Sequence, residues 1–210
     1  MTSGGQMSLA AGSPFASPQG PASLALNGNY IYAAVSDNFG PDGLLTFQRN
    51  PSTGAVQFLS GIAMPPQDSL ALSASGSNLY SVGTSTGLIS EFQVTAGGAL
   101  VSKGTVSAGT SASYAFHIVT DPLGRYIGVS SHNGSTLYSV DASGTILTVG
   151  PDVVPIENQP SYITFDSTGA YAPVLAGTQL LVYGLPGSDI RQLTTTTGTA
   201  NPGVLTMFTK

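Results

Sequence analysis

The chain has 210 residues, with five Lys and Arg against ten Asp and Glu and a formal net charge of −5. Charged residues make up only 7% of it, well below the usual share of about a quarter, so no basic stripe is available for counterion release and nucleic acid is excluded as a partner. Cysteine is absent, which removes disulfides and thiolate metal sites, and no stretch approaches a membrane span in length.

Residues 1–15 contain neither a basic nor an apolar leader region, so no signal peptide is read there. The low-charge, Ser/Thr/Gly-rich composition suits an extracytoplasmic protein, although the compartment stays open. Residues 8–15 read as the last strand of a preceding unit. The first unit, 21–61, is expected to hold strands at 23–26, 30–35, 44–49 and 55–60. Within it Leu44, Thr46 and Gln48 alternate with Leu45, Phe47 and Arg49, the pattern of a half-buried strand. The second unit, 66–107, has strands at 70–73, 79–82, 88–94 and 100–106. The third, 114–150, has them at 116–120, 126–130, 136–141 and 145–149. The fourth, 160–195, has them at 162–165, 171–174, 179–183 and 190–194, and residues 201–208 resemble the first strand of a following unit. No 3.6-residue periodicity is evident.

Glycines phase these units. Gly28, Gly76, Gly124 and Gly169 recur at spacings of 48, 48 and 45 residues; a second set (Gly43, Gly87, Gly134, Gly177) and a third (Gly54, Gly98, Gly144, Gly187) follow in step. Three phased turn markers around four short strands define a β-propeller blade. The fold expected is therefore all-β: four consecutive four-stranded antiparallel blades. A propeller removes its edges by closing the ring, and 8–15 with 201–208 lack the two middle strands that would complete a fifth blade. An open arc of a larger ring is the simpler reading, with self-association through the exposed blade edges as a consequence.

Blade geometry sorts the titratable residues. Loops from second to third strands, and from a fourth strand to the next first strand, share one rim, where ligand sites converge. Asp37 in the 36–42 loop, His117 entering an innermost strand, His132 in the 131–134 loop and Glu157 in the 154–160 loop fall there. Aligning the first strands on Leu24, Leu70, Ile118 and Ile163 makes Ser23, Ser69 and Tyr162 the counterparts of His117. An imidazole near its unperturbed pKa of ~6.5 is suited to activate water, so His117 is the candidate base; a channel-wall histidine bonded to water and backbone is the alternative. His132 lies in His-Asn-Gly, a sequence equally suited to a solvent-exposed turn. Asp121, Asp141 and Asp166 sit beside turns, where Asx-type bonding accounts for them. Glu91, in mid-strand, is expected to face solvent. The recurring tyrosines read as core or inter-blade packing. No spacing suggests a preformed metal site, and no cofactor fingerprint is present.

The phrases GSPF (12–15), NGNYIYAA (27–34), LTFQRNPSTGAVQFLSG (45–61) and DPLGRYIGV (121–129) resemble the lactonase-type seven-bladed propellers, the family of 6-phosphogluconolactonase and carboxymuconate-lactonizing relatives. Seven such blades need about 340 residues, of which this chain would be a little over half. The resemblance implies hydrolysis of a cyclic ester, with His117 matching a recurring family histidine in AFHIVTDPLGRY (115–126); rim position adds His132 as its catalytic companion and Asp37 and Glu157 as substrate-binding carboxylates. The chain departs from the family in having no acid in 130–135 and no arginine around the channel, which counts against a sugar phosphate as substrate. The competing reading is a non-catalytic extracytoplasmic propeller that binds a protein or glycan through its rim.

Overall fold

A computed structural model describes residues 8–36, 40, 42–83, 85–108, 115–155, 161–185 and 191–197, with side chains placed except at 42, 148–155 and 191–197. Sixteen strands follow in chain order. Blade one is β1 (Pro21–Asn27), β2 (Tyr30–Val35), β3 (Asp42–Arg49) and β4 (Val56–Ala63). Blade two is β5 (Ser69–Leu72), β6 (Asn78–Val82), β7 (Leu88–Val94) and β8 (Leu100–Ser107). Blade three is β9 (Ala115–Thr120), β10 (Tyr126–Ser131), β11 (Gly134–Val140) and β12 (Ile146–Pro155), and blade four is β13 (Ser161–Ile163), β14 (Tyr171–Ala176), β15 (Gln179–Gly184) and β16 (Arg191–Thr197). Each blade is one antiparallel sheet with its strands in sequence order. Residues 8–20 run as turns and bends, and 201–208 lie outside the described residues.

The turn glycines are conformational requirements. Gly28, Gly76, Gly124 and Gly169, between the first and second strands of successive blades, have φ of 57°, 70°, 72° and 69°, a region from which a side chain is sterically discouraged. Gly43 is needed for a different reason, since a Cβ there would stand 2.4 Å from the carbonyl oxygen of Pro65.

The blades pack in succession, β1 on β5, β5 on β9, and β13 on β10 and β11. The innermost-strand aliphatics insert into the preceding blade: Leu70 shares a cluster with Tyr32, Ala34 and Leu44, Ile118 with Tyr80, Val82 and Ile89, and Ile163 with Leu137. These three are 6%, 2% and 1% exposed, whereas their counterpart Leu24 on β1 is 63% exposed. Among the described residues, no blade covers blade one on that side.

Burial on both faces overturns two expectations. In β3 the run from Leu44 to Phe47 is buried throughout, polar Thr46 included, in place of the half-buried alternation. In β7, Glu91 is only 3% exposed. Blade two is sandwiched between blades one and three and has no wet face over its middle strands, so alternating polarity there does not report exposure.

Seams between blades are fastened in a repeating way. The Tyr32 hydroxyl donates to the Gly98 carbonyl of blade two (3.0 Å), and the Tyr80 hydroxyl, one repeat later, donates to the Gly144 carbonyl of blade three (2.6 Å). The next equivalent is Gly128, where a Cβ would lie 2.7 Å from Ile163 Cγ2, so no tyrosine fits. Arg125 serves that third seam instead, donating to the Gly169 and Leu185 carbonyls while its Nε contacts Asp121 Oδ2 at 2.9 Å.

Candidate functional site

Blade three places both histidines at the rim end of its inner strands. His117 pairs with Ser130 across β9 and β10, and the next pair is Ala115 with Ser131, which leaves Phe116 as the extra residue of a bulge. A bulge re-aims its side chains. The Phe116 ring lies 5.1 Å from the His132 ring and 5.0 Å from the Tyr162 ring, and His117 lies 6.2 Å from Tyr162, all centroid to centroid. The two predicted imidazoles thus border one aromatic cluster spanning the seam between blades three and four.

Their surroundings differ. His132 is exposed on its two-residue turn, where the Asn133 backbone N–H bonds Ser131 Oγ at 3.0 Å. His117 is partly buried, and its Nδ1 is enclosed with no hydrogen-bond partner. Burial pushes its pKa below the ordinary histidine value, so the ring is neutral at neutral pH. Its counterpart in blade two, Ser69, is spent structurally: its Oγ accepts the Ile118 N–H of the next blade at 3.3 Å. In the following seam Ser130 Oγ accepts the Ile163 N–H at 2.9 Å, and Ser135 and Ser161 share a buried hydroxyl bond of 2.6 Å. Hydroxyls at this level join blades, whereas His117 joins nothing through Nδ1.

Asp37 and Glu157 lie outside the described residues, so the expected carboxylates of the site are not placed. Phe116 was not foreseen as part of the site; its only sequence signal is its position beside His117, because a bulge is a property of pairing. Among the described residues no group of three His, Asp or Glu gathers in a way that could hold a metal ion, and no helix is long and apolar enough to cross a membrane.

The turn aspartates behave as read. Asp141 Oδ1 accepts the Ser143 hydroxyl (2.7 Å), the Ser143 N–H (2.8 Å) and the Thr145 N–H (2.9 Å), which holds its carboxyl below the usual range. For Asp166, burial works the other way, but bonds from Thr168 and Tyr171 prevail and its pKa is also lowered. Asp121 takes the Arg125 N–H and guanidinium.

No family model and no curated protein matches the chain. Solved structures do. A candidate 6-phosphogluconolactonase from Bacteroides uniformis superposes with a TM-score of 0.67 at 20% identity, over 82% of this chain and 55% of its own. The periplasmic gluconolactonase of Pseudomonas aeruginosa gives 0.68 at 18%, over 88% and 59%, and a protein from Lactobacillus plantarum gives 0.63 at 17%, over 89% and 57%. The chain therefore has the fold of the lactonase-type propellers and spans a little over half the length of each of these structures.

Proposed function

We propose that this chain carries part of a lactonase-type hydrolase, in which His117 acts as the general base that activates water for attack on the carbonyl of a cyclic ester. The observation that carries the reading is the place of His117 at the rim, its ring held neutral by burial and next to Tyr162, whose ring joins Phe116 and His132 in one aromatic cluster. A neutral imidazole takes a proton from water as the new C–O bond forms; the ring C–O bond then breaks and its oxygen leaves as an alcohol after receiving that proton back. The aromatic rings offer an apolar wall against one face of a sugar lactone. With no arginine at this rim among the described residues, an uncharged lactone fits better than a phosphorylated one. Fold likeness to a gluconolactonase supports the reaction class.

The test is δ-gluconolactone opening followed at constant pH, with the spontaneous rate subtracted. His117→Ala is expected to lower kcat/KM by on the order of 100-fold or more, and His132→Ala by less than tenfold. Equal activity in His117→Ala and the native chain would remove His117 from the chemistry.

A further inference from the structure

At the rim opposite the histidines, the first and third seams are filled. In the first, Asn27 Nδ2 donates to the Gly76 carbonyl at 2.7 Å, and the Tyr30 ring covers Gly98, where a Cβ would meet it at 2.2 Å. In the third, Leu123 and Arg125 cover the Gly169 turn, each 3.0 Å from a Cβ placed there. The second seam differs. One residue before and two after its turn glycine stand Ser75 and Asn78, where blade one has Asn27 and Tyr30. Ser75 turns to its own loop, bonding the Ser73 and Ser77 hydroxyls at 3.2 and 2.5 Å, and a Cβ on Gly124 would meet nothing within 4 Å. Short polar side chains in place of an amide and a phenol ring leave a cleft of about 230 Å³ between blades two and three. Both blades stand against it, so the cleft belongs to this seam rather than to an uncovered face.

Strand alternation turns one set of side chains into the cleft. Along β5, Ser69 and Ala71 face blade three, which puts Ser73, just past the strand end, on the same side; along β6, Asn78 shares the side of Tyr80, whose hydroxyl reaches Gly144. From blade three, Ile127 and Val140 pack with Tyr80 and form the floor, and Asp141 stands at the edge. Two of these groups have bonding capacity left. Asp141 gives Oδ1 to its own turn and makes no hydrogen bond through Oδ2 within the described protein. Its counterpart in blade two, Thr95, closes the same turn with one hydroxyl oxygen, accepting the Ala99 N–H at 3.0 Å, so the turn does not require the second carboxylate oxygen. Asn78 takes Lys103 Nζ on Oδ1 at 3.4 Å and donates nothing through Nδ2 within the described protein.

The ligand class follows from this set. Lys103 is close enough to help lower the Asp141 pKa, so an ionic ligand finds the carboxylate charge already answered. The volume falls below the ~300 Å³ at which pockets for drug-sized ligands begin, so the occupant is small. An acceptor oxygen, an amide donor and serine hydroxyls that do both, set over aliphatic carbon, match vicinal hydroxyls on the C–H face of a pyranose. We infer that the cleft between blades two and three binds a neutral monosaccharide unit, with vicinal hydroxyls on Asp141 and Asn78. This goes beyond the hydrolytic reading and does not depend on it, because His117 lies at the other rim.

The experiment is amide-resolved NMR titration of the intact chain with methyl β-D-glucoside, methyl β-D-galactoside and tetrahydropyran as probes. At least one glycoside is expected to bind saturably and at least about tenfold more tightly than tetrahydropyran, with shifts concentrated at Ser75, Gly124 and Ala142. Asp141→Asn, which keeps an oxygen for the turn, should weaken that binding by about tenfold or more. Asn78→Tyr combined with Ser75→Asn, which rebuilds the filling of the first seam, should abolish it, and this variant gives the same information if Asp141→Asn fails to fold. His117→Ala should leave it unchanged. The inference would be overturned by no saturable binding of either glycoside, by tetrahydropyran binding as tightly as the glycosides, by shifts confined to the His117 rim, or by glycoside binding unchanged in Asp141→Asn or in the rebuilt seam.

Discussion

Tyr80 and Glu91 face each other directly across β6 and β7, and the next blade closes over them: Glu91 Oε1 accepts the Ile146 N–H at 3.3 Å, and the Tyr80 hydroxyl reaches Gly144. The equivalents of Glu91 in blades one and three are Thr46 and Leu137, so a carboxylate occupies a core position. Burial raises its pKa above the ordinary value, with the Ile146 N–H and Lys103 opposing and Asp141 adding to the rise. The folded chain thus holds this proton more tightly than the unfolded one. The contribution is complete below the unfolded value near 4.5 and is lost as pH rises through the folded value. Glu91→Gln is expected to raise Tm by about 2–4 °C at pH 8 and to leave it unchanged at pH 4, as read by calorimetry. His117 shifts in the opposite sense. Its neutral form persists to lower pH than usual, so lactone opening is expected to be flat through pH 7 and to fall only below its ordinary pKa of 6.5, a profile that His117→Ala would abolish. The contrast between these residues shows what the sequence could reveal. His117 was legible because sorting residues by rim requires only strand order. Glu91 was not, because alternation assumes one wet face, and what covers it, β12 of the next blade, is 55 residues away.

At the scale of the strands and their turns, the glycine phasing made the blades readable, since each marker supplies a backbone conformation that other residues enter only at a cost. Strand edges shifted by a residue or two, most at β12, which runs on to Pro155 through register shifts opposite β11 that composition does not encode. The tyrosine fasteners show how turn and seam are linked. Gly144 has φ of 79°, and a Cβ there would lie 2.1 Å from Asn78 Nδ2 and 2.9 Å from the Tyr80 hydroxyl. Tyr80→Phe is expected to cost about 1 kcal/mol in urea unfolding. Gly144→Ala should cost more, by about 1–2 kcal/mol, because it adds left-handed backbone strain to the loss of the same bond. Equal losses would mean that the seam yields to the methyl group freely.

Over the whole molecule, stability is shared between blades and the seams that join them, as in any array whose units touch only their neighbours. Blade one presents the unpaired counterpart of a seam, with Leu24 and Leu26 63% and 57% exposed where Leu70 and Ile118 are covered. The face continues an interface the chain already uses three times, so a second copy of the chain is its expected occupant, and sedimentation velocity should show concentration-dependent association that Leu24→Ser with Leu26→Ser reverses. A monomer at all concentrations would refute this. The fasteners also bear on how such a chain lengthens. Blade two holds both halves of the tyrosine device in use, receiving Tyr32 at Gly98 and sending Tyr80 to Gly144, whereas blade three receives but sends an arginine to a differently shaped neighbour. A tandem copy of blade two would meet itself with matching ends, while a copy of blade three would not; the second blade is the natural module for duplication, and the third seam is where the series stops being interchangeable.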